Sequence, residues 1–241
     1  MRVLCAIMVG ATPLFLGGVA NAHETYNEFT FERCQLRGID CREVQAGESW
    51  EKLFLDPDRR RVVMSFNRQN TSLRVGQYIV VPAPDMTWLE LSPLPLEYRH
   101  GEQCGGFLVD VDMMAAGFYD SQCRLVKWSP AIGGAEASRE TMTERGSFRI
   151  LQIAHEGRRS DSLDGAAIPW FLQFTRESGQ GMHAGSMHGS HVSHGCVRVW
   201  ADFAEWANLI SRYISNVSRD QQDTLHYIGE DYETKIPFHV R

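Results

Sequence analysis

The chain has 241 residues and a formal net charge of −6, from 24 basic and 30 acidic side chains. That length suits two ordinary domains. An acidic balance gives no reason to expect nucleic-acid or anionic-membrane binding, both of which need concentrated positive charge.

Residues 1–22 open with Arg2, continue as an apolar run from Val3 to Val19 and close on Ala20-Asn21-Ala22. A short basic region, an apolar core and a small-x-small tripeptide predict a secretory signal peptide cleaved after Ala22. The competing reading is a retained anchor, because the run approaches spanning length. Gly10, Pro13, Gly17 and Gly18 weigh against so long a helix. The expected location is therefore outside the cytoplasm, in the periplasm or cell envelope, with no membrane association of the mature form.

Cys34, Cys41, Cys104, Cys123 and Cys196 follow the signal segment. In an exported protein an odd count suggests two disulfides plus one free thiol. Pairing Cys34 with Cys41 and Cys104 with Cys123 is favoured, although four cysteines admit other connectivities and reduced thiols are an alternative. Cys196 is the free thiol if it is a nucleophile.

After an N-terminal segment at 23–42, residues 43–82 parse as strand, two short helices and strand. Val44-Gln45-Ala46-Gly47-Glu48-Ser49-Trp50 leads into a helix at Trp50 to Leu55, which breaks at Pro57. Apolar spacing resumes at Val62, Val63 and Phe66. Asn67 and Asn70 come next, and Leu73-Arg74-Val75-Gly76-Gln77-Tyr78-Ile79-Val80-Val81-Pro82 closes the segment. Order and wording resemble a LysM module, although Glu48, Ser49 and Trp50 depart from its usual opening. The resemblance implies a small α+β (βααβ) domain and contact with glycan strands, which would tether the chain to a polymer and raise local substrate concentration. A degenerate module serving as a spacer is the alternative.

Pro82, Pro84, Pro93 and Pro95 predict an extended, semi-rigid linker over 83–100. A catalytic region is expected at 101–216. Phe107 to Asp112 reads as a strand, with Arg124 to Ser129 as its hairpin partner after a turn near Asp120. Ile132-Gly133-Gly134 makes a turn, and Gly146-Ser147-Phe148 leads another strand. Polar residues 154–166 form a loop. Ile168 to Phe174 is read as a strand delivering His183, with Trp170 and Phe171 in the core or lining a groove.

Met182 to Arg198 gathers His183, His188, His191, His194 and Cys196 within one glycine-rich stretch. A cysteine attacks a carbonyl as thiolate, so it needs a base, and that base needs an orienting group. Spacing alone leaves His183 and His194 both open as the base. The segment Ser193-His194-Gly195-Cys196-Val197-Arg198, preceded by Met182-His183-Ala184-Gly185, resembles the signature of YkuD-type L,D-transpeptidases. The resemblance implies a mainly β catalytic domain, a YkuD-like β-sandwich with a flanking helix. It implies Cys196 as nucleophile, His183 as base and the Ala184 carbonyl as orienter. Ser193, His194 and Gly195 would shape the oxyanion side, with Arg198 beside the substrate.

Asp202 is predicted to cap a helix carrying Phe203, Trp206, Ile210, Tyr213 and Ile214. The C-terminal extension, 217–241, holds a candidate strand at Lys235 to Val240. Four histidines and a cysteine also raise zinc or copper, but no helical His pair or Cys-x-x-Cys accompanies them, so neither a metal nor another cofactor is expected.

The resulting expectation is a peptidoglycan L,D-transpeptidase acting through a cysteine thioester on stem tetrapeptides. Stem peptides and glycan strands are the partners. Water as acceptor would make it an L,D-carboxypeptidase, and a lapsed site would leave a peptidoglycan-binding protein.

Overall fold

The computed structural model describes residues 39–86, 91–134, 141–154, 156–161, 163–215 and 236–241, with 226–227 described by backbone only. The signal peptide and the Cys34–Cys41 pairing lie outside the described residues, although Cys41 is disulfide-bonded. No helix among the described residues is long and apolar enough to cross a membrane.

Strands β1 (Ile39–Glu43) and β2 (Tyr78–Pro82) pair antiparallel from Ile39–Pro82 to Glu43–Tyr78, enclosing helices α1 (Trp50–Leu53) and α2 (Pro57–Phe66). Pro57 begins a helix rather than merely ending one. It occupies the first turn, where its missing N–H costs nothing, and the Asp56 carboxylate accepts from the N–H groups of Asp58 and Arg59. Val44, Trp50, Val63 and Ile79 fill the unit's core. Buried Asn67 ties its layers together: Nδ2 donates to the Val63 and Val80 carbonyls, and Oδ1 accepts from Val80 N.

The second unit contains β3 (Gly106–Asp110), β4 (Ala115–Tyr119), β5 (Leu125–Ile132), β6 (Gly146–Arg149), β7 (Gln152–Ile153), β8 (Leu172–Gln173), β9 (Gly181–Ala184), β10 (Val197–Val199), helix α3 (Ala201–Ile214), β11 (His226–Tyr227) and β12 (Pro237–Val240). Its strands form one ten-stranded sheet ordered β11-β7-β8-β9-β10-β5-β4-β3-β12-β6. The result is a half-barrel with a flanking helix, where a two-sheet sandwich was expected. The long β5 explains the continuity: residues Leu125 to Pro130 pair with β4, while Ala131 and Ile132 pair with β10.

Strand β4 was not anticipated, and it displaces β5 as the hairpin partner of β3. Its Ala115-Ala116-Gly117-Phe118-Tyr119 is buried throughout and shows no polar alternation, as expected of a strand covered on both faces. Phe107, Val109 and Phe118 join the α3-side cluster, whereas Leu108, Ala115, Tyr119 and Trp128 form a second cluster with Leu91 and Leu94. Val62 and Phe66 of α2 pack on that second cluster. Residues 91–100 also lie against the sheet: Tyr98 N donates to Cys123 O, and the Tyr119 hydroxyl donates to Pro95 O. The Cys104–Cys123 disulfide is present as expected.

Two further expectations change. Only Leu172–Gln173 of the 168–174 segment is strand, so His183 arrives on its own strand, β9. Asp202 lies inside the first turn of α3 without capping it. Trp200 occupies the cap position, and the Asp202 carboxylate instead accepts from Arg61 of α2 at 2.5 Å. Phe203, Ala204 and Ala207 carry the buried face of α3, while Tyr213 is 83% exposed. Strand β12 runs parallel to β3 and antiparallel to β6, placing the C-terminal strand inside the sheet.

Candidate active site

The site is built on β9 and β10, the parallel pair in which Val197 faces Met182 and Arg198 faces His183. Side chains alternate across a strand. Met182, Ala184, Val197 and Val199 therefore point together into the main core, where all four are buried. The other parity puts Gly181, His183, Cys196 and Arg198 on the opposite face. The register thus sets the two residues expected to do the chemistry on one face, with Arg198 paired to His183.

Phe171 backs this face. Its ring lies 6.4 Å from that of His183, and Cys196 packs against the cluster that Phe171 forms with Ala154 and Ile168. A Cβ at Gly181 would stand 2.3 Å from the Phe171 ring, so only glycine allows this packing. Phe171 is thus a buried support of the site, not an exposed groove wall.

His183 is buried, and its Nδ1–H donates to the Ala184 carbonyl at 2.8 Å. That bond fixes the tautomer and leaves Nε2 as the basic nitrogen. Burial depresses the imidazole pKa to about 4; the carbonyl bond opposes the shift, and the Arg198 charge adds to it. Cys196 is a free thiol. Burial pushes its pKa up, while the Gly181 N–H and the Arg198 charge pull the other way. Both displacements favour the uncharged forms.

Residues 193–196 are held from the other side by loops that sequence reasoning did not connect with the site. Ser193 N donates to Gly133 O. The Thr143 hydroxyl donates to Gly195 O at 2.9 Å and accepts from Gly134 N at 2.8 Å. Buried Gln180 donates to Met142 O and accepts from Glu144 N. Gly195 has φ +106°, and a Cβ there would stand 2.5 Å from Gln180 Nε2. Gln180 sits on the approach to His183, but nothing in its sequence spacing marks it.

His194 is exposed, and Ser193 is buried beneath the turn. The Arg198 stem lies over Gly185, and its guanidinium donates to Ser186 O at 3.4 Å. His191 Nδ1 accepts from Gly133 N. His188 bridges to Gln69, and burial beside Arg198 and Arg74 lowers its pKa. Among the described residues no three His, Cys, Asp or Glu side chains group as metal ligands.

Residues 107–217 match the family model of the L,D-transpeptidase catalytic domain, YkuD. This segment is an L,D-transpeptidase catalytic domain. The family acts on peptidoglycan stem peptides, which implies the cell envelope. The L,D-transpeptidase of Xylanimonas cellulosilytica is similar at 20% identity and a TM-score of 0.45, over 74% of this chain and 78% of that one. The enzyme from Stackebrandtia nassauensis is similar at 14% identity and 0.43, over 59% and 58%. L,D-transpeptidase 3 of Mycobacterium tuberculosis is similar at 16% and 0.38, over 58% and 61%. No curated protein matches the chain.

Proposed function

We propose that the protein is an exported peptidoglycan L,D-transpeptidase in which Cys196 is the acylated nucleophile and His183 its general base. The observation that carries this reading is the β9–β10 register, which sets His183 and Cys196 on one face with His183 Nδ1 committed to the Ala184 carbonyl. With both groups uncharged at rest, the thiol loses its proton to Nε2 as sulfur bonds to the carbonyl joining a diamino acid's L-centre to a terminal D-residue. Main-chain N–H groups of the Gly195–Cys196 turn, held in place through Ser193, Thr143 and Gln180, face the resulting oxyanion. The C–N bond then breaks, His183 protonates the departing D-amino acid, and a thioester remains. The amine of a second stem attacks that thioester, gives its proton to His183 and regenerates the thiol.

Residues 43–82 are read as a LysM-like unit from their β-α-α-β order and the Leu73–Pro82 ending. Residues 83–100 join it to the catalytic domain.

The test is incubation of the mature protein with a disaccharide-tetrapeptide muropeptide, followed by mass spectrometry. Cross-linked dimers are expected from the native protein and none from Cys196→Ala, whose circular dichroism should be unchanged. Tripeptide alone would assign water as acceptor and make the protein an L,D-carboxypeptidase. Dimers formed by Cys196→Ala would sink the mechanism.

A further inference from the structure

The loop that follows His183, residues 185–189, is fastened to the N-terminal unit. Asn70 Oδ1 accepts from Met187 N at 2.8 Å, Asn70 Nδ2 donates to Gly185 O at 3.3 Å, and Asn70 N donates to Met187 O at 3.1 Å. The Thr71 hydroxyl adds a bond to Met187 O at 3.2 Å, and Gly189 N donates to Arg68 O at 3.0 Å. Arg68 is itself fixed: its buried guanidinium donates to the Ser65, Phe66 and Met113 carbonyls. Residues 68–71 therefore clip the site loop to the turn between β3 and β4.

The loop needs such a clip at its first residue. Gly185 carries no side chain because the Arg198 stem fills that space; a Cβ would stand 2.9 Å from Arg198 Cδ. A glycine leaves its two peptide planes free to turn. One of those planes contains the Ala184 carbonyl that receives His183 Nδ1–H. Gly185 N is held by Val199 O on one side, and Gly185 O by Asn70 on the other.

We infer that Asn70 is a positioning residue for the active site: by bridging Gly185 and Met187 across the boundary between the two units, it fixes the Ala184 peptide and through it the His183 ring. The inference rests on the catalytic reading above for its effect on turnover, but its effect on His183 can be read without turnover. Asn70→Ala removes both side-chain bonds. Asn70→Asp keeps an acceptor for Met187 N but sets a carboxylate oxygen against the Gly185 carbonyl.

The experiment uses the full mature chain. Imidazole NMR titration of His183 should show its pKa, already lowered by burial, displaced further down in Asn70→Ala, because the Ala184 carbonyl bond that opposes the lowering is lost while the ring stays buried. The groups facing His183 from the neighbouring strand, Arg198 and Cys196, are unchanged in that variant. On soluble muropeptide kcat should fall at least about tenfold while KM stays within about threefold, since a displaced catalytic group costs rate rather than binding. Asn70→Asp should fall in the same direction. Val63→Ala, which hollows the N-terminal unit's own core, is the comparison: it should lower Tm without moving the His183 titration.

An unchanged His183 titration in Asn70→Ala, or an equal shift in Val63→Ala, overturns the inference. A native protein that turns over no muropeptide overturns the functional reading instead, while the titration still decides the role of Asn70.

Discussion

In the proposed cycle, protonation of two side chains decides how the reaction starts. The Cys196 thiol is raised and the His183 imidazole lowered, burial being the largest cause of each, so at neutral pH the pair is thiol and imidazole rather than thiolate and imidazolium. Many catalytic cysteines are poised the other way, with a lowered pKa and a standing thiolate. Alkylation of Cys196 by iodoacetamide, followed by mass spectrometry across pH, should therefore rise along one alkaline limb above the ordinary thiol pKa, with no shoulder near neutrality. A shoulder between about pH 5 and 7 would reveal an ion pair. The acid limb of turnover follows from the same ring. The proposed base acts as unprotonated imidazole, so kcat/KM should hold through pH 6.5 and decline only as pH approaches about 4. His183→Gln should remove that limb together with most of the rate.

At the scale of elements, the N-terminal unit contributes packing as well as the Asn70 bonds. Val62 and Phe66 cover the cluster around Leu108, Tyr119 and Trp128, and Arg68 is buried against the β3–β4 turn. A tether acts only through effective concentration and leaves the chemical step alone. A docked support does not. Deleting residues 23–82 should therefore lower turnover of soluble muropeptides as much as turnover of intact sacculi, and lower Tm on the order of 10 °C from the exposed apolar surface. Soluble turnover equal to that of the full chain would instead mark the unit as an independent tether. The β-α-α-β order was legible from the apolar spacing at Val62, Val63 and Phe66 and from the Leu73–Pro82 ending, while the Ser49 cap of α1 emerges only in the structure. The docking was not, because it is made largely to main-chain groups of Gly185, Met187 and Met113, which any residue types would supply. Strand β4 stayed hidden for a related reason, since a strand buried on both faces shows no alternation. Cys196 and His183 were singled out by their motif, whereas Gln180 and Thr143 each act through two side-chain hydrogen bonds at unremarkable positions.

Across the whole molecule, buried histidines give stability a pH dependence separate from that of the carboxylates. His183 and His239 both have pKa values lowered to about 4 from 6.5, with burial the largest cause of each. Between those values the unfolded chain binds more protons than the folded one, so stability rises with pH; the contribution is complete above about 6.5 and lost as pH falls through about 4. Asp112 and Asp120, lowered from 3.8 chiefly by hydrogen bonds to Arg145 and Arg124 respectively, add their dependence only below that window. His239 is the better probe because it lies outside the active site. The residue is 6% exposed, its ring stacks 3.6 Å from that of His100, and neither nitrogen has a hydrogen-bond partner among the described residues. A buried polar group left in that state costs stability, so an apolar ring of similar shape should fit better. His239→Phe keeps the stacking surface and removes both nitrogens. Its Tm should exceed that of the native chain by several degrees near pH 5 and change less between pH 6.5 and 4.5, as followed by calorimetry at fixed ionic strength. Parallel Tm curves for the two proteins would mean that His239 takes up its proton in the folded state as readily as in the unfolded one, and that the acid sensitivity lies elsewhere.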